Sequence, residues 1–491
     1  MNNTQINYAV QDAIEWSLMH GMAVKTAKDS ARHCAFSFAP TLIGRERFEL
    51  LKSIVPLMGK LIHGVSEDHG FLMDAIEPLC SGDVFFASLL ELHQNIHSST
   101  KPARRLPMLL MRTDFMDDAE SGPKLIEFNG IAAGMGPFGQ RAHELHHYLQ
   151  YQWPAAFQSW SEADDLQLIP NHGIEHLARG IAGAATMVRS QSGEQGQPLF
   201  LMVVQPDESN VYDQHLLEEA IQREGVKTIR RTFRQLYDQL TSGENSRLLL
   251  EGLGGIDAIY LRAGYQHCDY VAHDLDGVRC CSELGRVRIL IEQHRVAVNA
   301  TISQQLATSK RVQMLLCDMN EEQLTRFGLT LAEAQRVKPF LGEMRPVDDQ
   351  SAHWFAGQKT NDWVLKNQGE GGGHCVFDHH ILPRLSSLRS EEYSAWSLMR
   401  RLHPRHRSHE ALVVRNGEAQ PVDNLISEIG MFTLHLDGHS LTSDMGYAGY
   451  LVRSKPATAS EGGVHSGQGA VDSLACTRTP GNSCVSDALV R

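Results

Sequence analysis

Residues 363–374 combine an apolar strand with a glycine-rich segment: Trp363-Val364-Leu365-Lys366-Asn367-Gln368-Gly369-Glu370-Gly371-Gly372-Gly373-His374. Three consecutive glycines let the backbone approach a ligand closely and leave N–H groups available for phosphate oxygens. Lys366 adds a positive charge for the same phosphates, and Glu370 is a hard oxygen ligand suited to Mg²⁺. The pattern predicts a nucleotide site, although it is not the Walker sequence. A glycine-rich surface hairpin fits the same residues.

The composition is that of a large globular protein. The chain has 491 residues, 42% hydrophobic and 21% charged, and this length predicts roughly two to four domains. The net charge of −13 argues against nucleic acid as a partner. Nine cysteines without a C-x-x-C pair predict neither a zinc knuckle nor a disulfide framework. Without a long apolar run or a basic apolar leader, we expect a cytoplasmic protein and no membrane partner.

The first part of the chain predicts helices and a hairpin. Apolar spacing predicts helices over residues 8–24, 45–64, 84–97 and 140–152. Residues 106–112 and 124–129 predict two strands joined by a turn. Because strand residues two apart point the same way, Glu127 and Asn129 should share one face.

After a polar linker at residues 190–197, strands and helices alternate. A parallel α/β unit is predicted from strands at 199–205, 226–232 and 257–262 and a helix at 211–223. The later patterns predict a long helix over 285–316, a strand-rich part at 361–450 with one helix near 390–402, and a loose tail from Cys476.

A second motif points to different chemistry. His143-Glu144-Leu145-His146-His147 satisfies H-E-x-x-H on a predicted helix, the spacing of zinc peptidases. A chain with 25 histidines can match this pattern by chance, and no further carboxylate follows at a suitable spacing on a second helix. Zinc peptidase is therefore the weakest of the functions considered.

Several separated motifs together resemble the eukaryotic-type glutathione synthetases, permuted members of the ATP-grasp superfamily. In the family's order, over about residues 8–473, they are Met111-Arg112-Thr113-Asp114-Phe115-Met116, Ile126-Glu127-Phe128-Asn129, Glu208-Ser209-Asn210-Val211-Tyr212-Asp213-Gln214, Tyr260-Leu261-Arg262-Ala263-Gly264-Tyr265, Ala307-Thr308-Ser309-Lys310-Arg311-Val312, Leu365-Lys366 through Gly373, Ser427-Glu428-Ile429-Gly430, Leu451-Val452-Arg453-Ser454-Lys455 and Glu461-Gly462-Gly463-Val464. Each motif is weak alone, and their joint order is specific.

The resemblance implies an ATP-grasp architecture of the α/β class, an α+β fold with a parallel α/β substrate subdomain and a glycine-rich lid. It divides the chain into an N-terminal part of the catalytic core (1–198), an α/β substrate-binding domain (199–303), a nucleotide-binding part with the lid (304–475) and a tail (476–491). Members of this family are usually homodimers, so the resemblance also implies a homodimer.

The resemblance further implies a role for each matching residue. The Mg²⁺ ligands would be Glu127, Asn129 and Glu370. The contacts to ATP would be Met116, Lys310, Lys366, Gly371, Gly372, Gly373, Met399, Leu402, Glu428, Lys455 and Glu461. The contacts to a γ-glutamyl donor would be Arg112, Glu208, Asn210, Gln214, Arg262, Gly264, Tyr265 and Arg453, with Arg112 and Arg453 also catalytic. The incoming amino acid would meet Val464 and His465.

The residues themselves agree with part of this assignment. Glu208, Asn210 and Gln214 follow a predicted parallel strand, and such strand ends are where α/β domains bind ligands. Arginines suit carboxylates because they can pair with both oxygens. Ordinary surface ion pairs explain any single arginine at least as well.

The chain departs from the family at several motif positions, in the nucleotide segment and at positions expected to contact substrates. These are Ala132, Ala133 and Gly134 where the family has Ser-x-Ser, Ala263 for aspartate, Cys268 for arginine, Arg400 and Arg401 where the family has an acidic then a basic residue, and His465 and Ser466 for two alanines. Losing a hydrogen-bonding side chain can change substrate choice strongly.

The sequence therefore favours an ATP- and Mg²⁺-dependent ligase. It would phosphorylate the carboxylate of γ-glutamylcysteine and join it to glycine, giving glutathione, ADP and phosphate. One alternative keeps this chemistry with another γ-glutamyl donor or another amino-acid acceptor. A further alternative is a nucleotide-binding protein without catalytic activity.

Overall fold

The computed structural model describes residues 3–98, 103–275, 280–369, 375–459, 462–464 and 468–477. The helices are α1 (Asn3–Met19), α2 (Arg45–Glu67), α3 (His69–Ile76), α4 (Val84–His97), α5 (Gly136–Gln152), α6 (Pro154–Ser159), α7 (Gly173–Gln191), α8 (Val211–Arg223), α9 (Phe233–Gln239), α10 (Cys280–Glu292), α11 (Ile302–Ala307), α12 (Lys310–Asp318), α13 (Glu321–Leu324), α14 (Leu331–Val337), α15 (Ser351–Ala356) and α16 (Ile381–Ser387). Within these described ranges, no helix combines the length and hydropathy needed to cross a membrane.

The strands are β1 (Ala23–Ala27), β2 (Ser30–His33), β3 (Phe36–Ser37), β4 (Thr41–Leu42), β5 (Leu106–Asp118), β6 (Gly122–Asn129), β7 (Leu166–Leu168), β8 (Leu199–Val203), β9 (Lys227–Arg231), β10 (Leu240–Ser242), β11 (Leu248–Leu250), β12 (Gly254–Gly255), β13 (Ala258–Leu261), β14 (Ala297–Asn299), β15 (Met344–Pro346), β16 (Trp363–Asn367), β17 (Cys375–Phe377), β18 (Trp396–Arg400), β19 (Ala411–Arg415), β20 (Glu418–Val422), β21 (Leu425–Leu436), β22 (His439–Ser440), β23 (Tyr447–Pro456), β24 (Ala470–Asp472) and β25 (Leu474–Thr477).

One large sheet organises the molecule. In the described part of the chain its strand order is β20-β19-β3-β24-β23-β21-β5-β14-β13-β8-β9, with β6 also paired to β5 and β22 to β21. From β5 to β9 neighbouring strands are parallel, whereas β21 and β6 run antiparallel to β5. β5 is long enough to join both halves, because its first residues pair with β14 and the rest with β21 and β6.

A second sheet lies apart from the first and carries the opening sequence motif. It is antiparallel, with the order β15-β18-β16-β17. Trp363 and Leu365 of β16 are buried in a cluster beneath this sheet, together with Leu398 of β18. Two sheets that hold a nucleotide between them define the ATP-grasp architecture, and the predicted α/β fold class is confirmed.

Several predicted elements are also confirmed. α2, α4 and α8 closely match the predicted helices, and β5 and β6 form the predicted hairpin. Gly225 has a φ of 83°, in the left-handed region, and ends α8 as a glycine can without strain. Across the hairpin, Glu127 pairs with Asp114 and Asn129 pairs with Arg112. Glu127 and Asn129 are two residues apart on β6, so their side chains point to the same face of the strand.

The predicted helix over 285–316 is wrong. α10 ends at Glu292, and residues Ala297–Asn299 instead form β14, which inserts between β5 and β13. Two new helices follow, because Thr301 and Gln304 cap α11 reciprocally and the Ser309 hydroxyl accepts from the Val312 N–H at the start of α12. These caps interrupt what the apolar spacing alone suggested was one helix.

Three further predictions need correction. The helix placed near 390–402 is wrong: β18 occupies its second half, since Ser397 and Met399 pair with Lys366 and Val364 of β16. The helix placed at 8–24 ends at Met19. The predicted tail at 476–491 starts too early, because Cys476 and Thr477 belong to β25, while residues 478–491 lie outside the described part.

The contact between α5 and β23 gives a test of the packing. A Cβ added to Gly139 would lie 2.0 Å from the Tyr450 carbonyl oxygen, whereas one added to Gly183 on α7 meets nothing within 4 Å. We expect Gly139→Ala to destabilise the protein by roughly 1–3 kcal/mol because backbone must move apart. Gly183→Ala should be neutral or stabilising by up to about 1 kcal/mol. Thermal denaturation of both variants checks this, and equal melting temperatures would contradict the packing.

Candidate functional site

A large cavity lies between the two sheets. Its volume is about 920 Å³, and it continues to the carboxyl ends of β8 and β13. The predicted site residues that line it are Arg112, Met116, Glu127, Asn129, Glu208, Asn210, Arg262, Tyr265, Lys310, Lys366, Met399, Leu402, Glu428, Arg453 and Lys455. The structure thus brings together residues from motifs that are more than three hundred positions apart in the sequence.

Asp114 is the centre of the polar contacts at the base of the cavity. Its side chain is fully buried and accepts both a 2.6 Å and a 2.7 Å hydrogen bond from the Arg112 guanidinium. It also accepts from Asn129 Nδ2 at 3.0 Å and from Arg453 Nη2 at 3.0 Å. A buried carboxylate with charge-assisted bonds on both oxygens holds its partners in fixed positions. Asp114 therefore orients three of the predicted site residues.

Glu428 lies beside this centre. It faces Arg453 across the β21–β23 pair and accepts a hydrogen bond from it. Burial raises the pKa of Glu428; Arg453 opposes this shift, and the carboxylates of Asp114 and Glu127 add to it. The acidic side chains of Asp114, Glu127 and Glu428 and the two arginines thus lie close enough to influence one another at the base of the cavity.

Glu127 carries a negative charge in positive surroundings. Burial alone would raise its pKa, but Lys310, Lys366 and two arginines outweigh burial and hold the pKa of Glu127 below its ordinary value. Lys310 Nζ is 3.9 Å from Glu127 Oε2 and donates to the Gly369 carbonyl at 3.0 Å. Glu127 is therefore an ionised carboxylate beside cations that can also face phosphate.

The residues on this wall fit a Mg²⁺ ion. Glu127 supplies an ionised carboxylate, and Asn129 directs its amide nitrogen to Asp114, which leaves its oxygen for another partner. Carboxylate and amide oxygens are the hard ligands that Mg²⁺ accepts. The third predicted ligand, Glu370, lies outside the described residues.

The two predicted lysines reach the cavity from different elements. Lys310 is the first residue of α12, and Lys366 extends from β16 to donate to the Ile126 carbonyl at 3.0 Å, which ties the second sheet to β6. The glycine-rich segment from Gly371 to Gly373 and the residues Glu461 and His465 are outside the described part. Gly462 and Gly463, from the second glycine-rich segment, line the cavity.

One end of the cavity is apolar. Met116, Val364, Met399, Leu402 and Ile426 contribute to its wall. Flat, apolar surfaces of this kind accommodate an aromatic ring such as a nucleobase, with a few polar groups for orientation.

The opposite end is polar and lies at the carboxyl ends of the parallel strands. Arg262, directly after β13, donates to Asp213 at 2.8 Å and has Glu208 3.7 Å away. Gln214 donates to Glu208 and thus holds it from below. Burial raises the pKa of Glu208, although Arg262 and Gln214 act against this. The Asn210 side-chain oxygen is buried without a hydrogen-bond partner among the described residues, so it offers an acceptor to a ligand.

A neighbouring loop is fixed by a second aspartate. Asp269 accepts from the backbone N–H groups of Gly264 at 2.7 Å and Tyr265 at 3.2 Å. Gln205 bridges the Asp269 carboxylate at 2.7 Å and the Tyr265 hydroxyl at 3.1 Å. Gly264 has a φ of 101°, which requires glycine here. Gly264 therefore shapes the loop, and Tyr265 presents its ring to the cavity.

Not every predicted residue lines the cavity. Gln214 is buried and hydrogen-bonds to Glu208. Gly264 allows the left-handed backbone conformation of its loop. Val464 packs into the hydrophobic core. The sequence reasoning also missed Asp114, Asp213 and Asp269, which position the predicted arginines and the Tyr265 loop. Two-residue strand alternation links Asp114 to Arg112 and could have identified it.

The H-E-x-x-H motif lies elsewhere, on α5. Glu144 accepts hydrogen bonds from Arg141 and from Gln140, the latter at 2.9 Å. His146 is buried with one ring nitrogen at Ser473 and the other at the Ser37 carbonyl. In the ranges that the structure describes, this motif does not form a group of three potential metal ligands.

Two sheets around a cavity with an apolar end, paired lysines and a carboxylate–amide wall define an ATP-grasp protein. The family model "Eukaryotic glutathione synthase, ATP binding domain" matches residues 3–476. This chain therefore belongs to the eukaryotic glutathione synthase family, and the resemblance seen in the sequence is confirmed.

Individual relatives extend over nearly the whole chain. It is 27% identical over 480 residues to the chloroplastic glutathione synthetase of Solanum lycopersicum, which covers 94% of this chain and 83% of that protein. It is 25% identical over 482 residues to the glutathione synthetase of Homo sapiens, with 95% and 96% covered. Among solved structures, a glutathione synthetase-like effector from Globodera pallida, in its apo form, has a TM-score of 0.70 at 18% identity, covering 96% and 97%.

Proposed function

We propose that this protein is an ATP- and Mg²⁺-dependent ligase that joins γ-glutamylcysteine to glycine and forms glutathione, ADP and phosphate. The observation that carries the proposal is the order of groups along one cavity: an apolar end, the Lys310–Glu127–Lys366 centre, and the Glu208–Arg262 end. Family membership and relatives with this name support the same function.

The reaction needs charge neutralisation more than side-chain chemistry. A carboxylate oxygen of the donor attacks the γ-phosphorus of ATP, ADP leaves, and the amine of glycine then attacks the acyl carbon and displaces phosphate. Lys310 and Lys366 can hold the phosphate oxygens, and Arg112 and Arg453, fixed by Asp114, can stabilise the charge that develops during both transfers. Mg²⁺, when bound at Glu127 and Asn129, would neutralise phosphate charge and keep the β- and γ-phosphates oriented.

The polar end suits a γ-glutamyl group. Its ammonium can pair with Glu208, and its carboxylate can meet Arg262, whose Nε is buried without a partner in the described part of the chain. Asn210 adds an unpaired amide oxygen beside them. Binding of both the ammonium and the carboxylate of the γ-glutamyl group would place the second carboxyl group of the donor near the phosphates. This proximity lowers the activation barrier of phosphoryl transfer.

Water must be excluded while the acyl-phosphate exists. Lys455, Gly462 and Gly463 lie on the rim of the cavity, and a Cβ added to Gly462 would lie 3.7 Å from Lys455 and 3.8 Å from Glu428. The segment that contains Gly462 and Gly463 is therefore proposed as part of the lid over ATP. The other predicted lid glycines, Gly371 to Gly373, lie outside the described residues. The predicted contact of His465 with the incoming amino acid is part of this proposal.

A second candidate is a ligase with a different donor or acceptor, and the wall beside Arg262 favours it. A Cβ added to Gly134 would lie only 2.4 Å from Arg262 Nη2, so the arginine occupies the space of the side chain that other family members carry. Ala132 lines the same wall, and Ala263 is buried next to Arg262. This wall therefore offers the substrate fewer hydrogen-bond donors than the family's Ser-x-Ser pattern provides. Glu127, Asn129, Lys310 and Lys366 together argue against a catalytically inactive nucleotide-binding protein.

Four features predicted from sequence remain proposals. They are Mg²⁺ as the metal, the homodimer, the cytoplasmic location and the division of the chain at residues 198, 303 and 475.

A substrate panel tests the proposed reaction. Purified protein with Mg²⁺ and ATP is offered γ-glutamylcysteine or γ-glutamylalanine as donor, each with glycine, serine or β-alanine, while ADP release and peptide mass are measured. We expect γ-glutamylcysteine and glycine to give glutathione with one ADP per peptide. Turnover with other pairs alone would establish the second candidate. ATP binding without turnover of any pair would indicate the inactive protein instead.

The pH dependence of donor binding tests the role of Glu208. Because its pKa is raised, Glu208 loses its charge at a higher pH than an ordinary glutamate, so the KM for the donor should rise as the pH falls through that value. Glu208→Gln should raise this KM by about 10²-fold at neutral pH and remove the acid dependence. Glu219→Gln, an exposed position on α8, is the control. The same acid dependence in Glu208→Gln would exclude this role.

A further inference from the structure

Three histidine side chains meet away from the ATP cavity. His69 begins α3, and His93 and His97 lie four residues apart on one face of α4. One ring nitrogen from each lies within 4.8 Å of those of the other two. The ring centroids are 3.6 Å apart for His69 and His97, 4.5 Å for His93 and His97, and 5.3 Å for His69 and His93.

We propose that this histidine cluster is a binding site for a borderline divalent transition-metal ion such as Zn²⁺. Three imidazole nitrogens would be the protein ligands, with water at the fourth position. Imidazole nitrogen binds Zn²⁺, Cu²⁺ and Ni²⁺ in preference to Mg²⁺, because Mg²⁺ prefers oxygen ligands. The site is therefore chemically distinct from the carboxylate–amide wall of the ATP cavity.

Unsatisfied ring nitrogens are the first argument for the site. His69 Nδ1 and His93 Nε2 are buried and have no hydrogen-bond partner among the described residues. Leaving such groups unpaired is unfavourable, and a metal ion would use both lone pairs. Three imidazoles with one nitrogen each within 4.8 Å of the others also exceed what simple filling of a core requires, since apolar side chains would do so without desolvation cost.

The surroundings orient the rings as a metal site requires. The Ser303 hydroxyl is 3.3 Å from His93 Nδ1 and 3.2 Å from His97 Nε2. Ligating histidines usually engage their second nitrogen in this way, which fixes the ring and its tautomer. At His69, the Asp68 side chain accepts from the Phe71 N–H at 3.0 Å and fixes the start of α3.

The local charge also permits a cation. Arg105 is the nearby positive group, and it is paired with Glu67 at 3.0 Å and with Glu292 at 3.3 Å.

The histidine cluster is accessible from solvent, and Ser303 of α11 contacts it from the protein interior. His93 is buried, whereas His69 and His97 are partly exposed, so an ion can enter from the surface. Ser303 belongs to α11, which directly precedes the helix that presents Lys310. A bound ion would link α3 and α4 and, through Ser303, brace α11.

Metal titration of the full, untagged chain tests the proposal. After removal of metal with a chelator, Zn²⁺ is titrated against a chromophoric competitor, and Co²⁺ is followed by visible absorption. We expect about one equivalent of either ion, the strong visible bands of four-coordinate Co²⁺, a higher melting temperature with Zn²⁺, and no competition from excess Mg²⁺. Absence of stoichiometric binding, with melting unchanged by Zn²⁺, would mean that the rings are only a stacked core cluster.

Variants locate the ion. His69→Gln and His97→Gln, both at partly exposed positions, should abolish the Co²⁺ bands and the thermal shift while retaining the far-ultraviolet circular dichroism of the wild type. Ser303→Ala should weaken binding at least about tenfold. The matched control is the double variant His143→Gln, His147→Gln, which removes the H-E-x-x-H pair on α5 and should bind normally. Loss of binding in this control, with binding retained in His97→Gln, would place the ion on α5 and overturn the assignment.

Discussion

The candidate site depends on the hydrogen bonds that the buried carboxylate of Asp114 accepts. This carboxylate sits in β5, accepts four hydrogen bonds from three side chains, and connects β6 through Asn129 and β23 through Arg453. Arg453 extends the contact to Glu428 on β21. The negative charge of Asp114 thus helps to fix polar side chains on four adjacent strands, β6, β5, β21 and β23. Because unpaired buried charges are costly, any displacement of Asp114 would disturb the whole base of the cavity.

The position of β5 explains why two binding regions become one cavity. Its first residues continue the parallel strands whose carboxyl ends carry Glu208 and Arg262, and its later residues carry Arg112 and Asp114 within the antiparallel half. The second sheet closes the far side with Lys366. A donor held at the parallel strands and a nucleotide held between the sheets would therefore meet beside Asp114.

The sequence predicted the elements and residues whose signals are local. Glu127 and Asn129 follow strand alternation, and Lys366 lies in a recognisable strand-and-glycine motif. The helix over 285–316 failed because β14 pairs with strands distant in sequence, and only the caps at Thr301 and Ser309 marked the break. Contacts such as Asp114 with Arg453 join residues more than three hundred positions apart, so one sequence holds no local trace of them. The metal, nucleotide and substrate roles of these residues stay predictions.

The most direct measurement is the activity and donor affinity of Asp114→Asn. This variant keeps the size of the side chain and removes the charge that holds Arg112 and Arg453. With folding verified by circular dichroism, kcat/KM for the donor should fall by at least about tenfold, because both arginines lose their fixed position. Wild-type kcat/KM and unchanged donor affinity in Asp114→Asn would contradict the account.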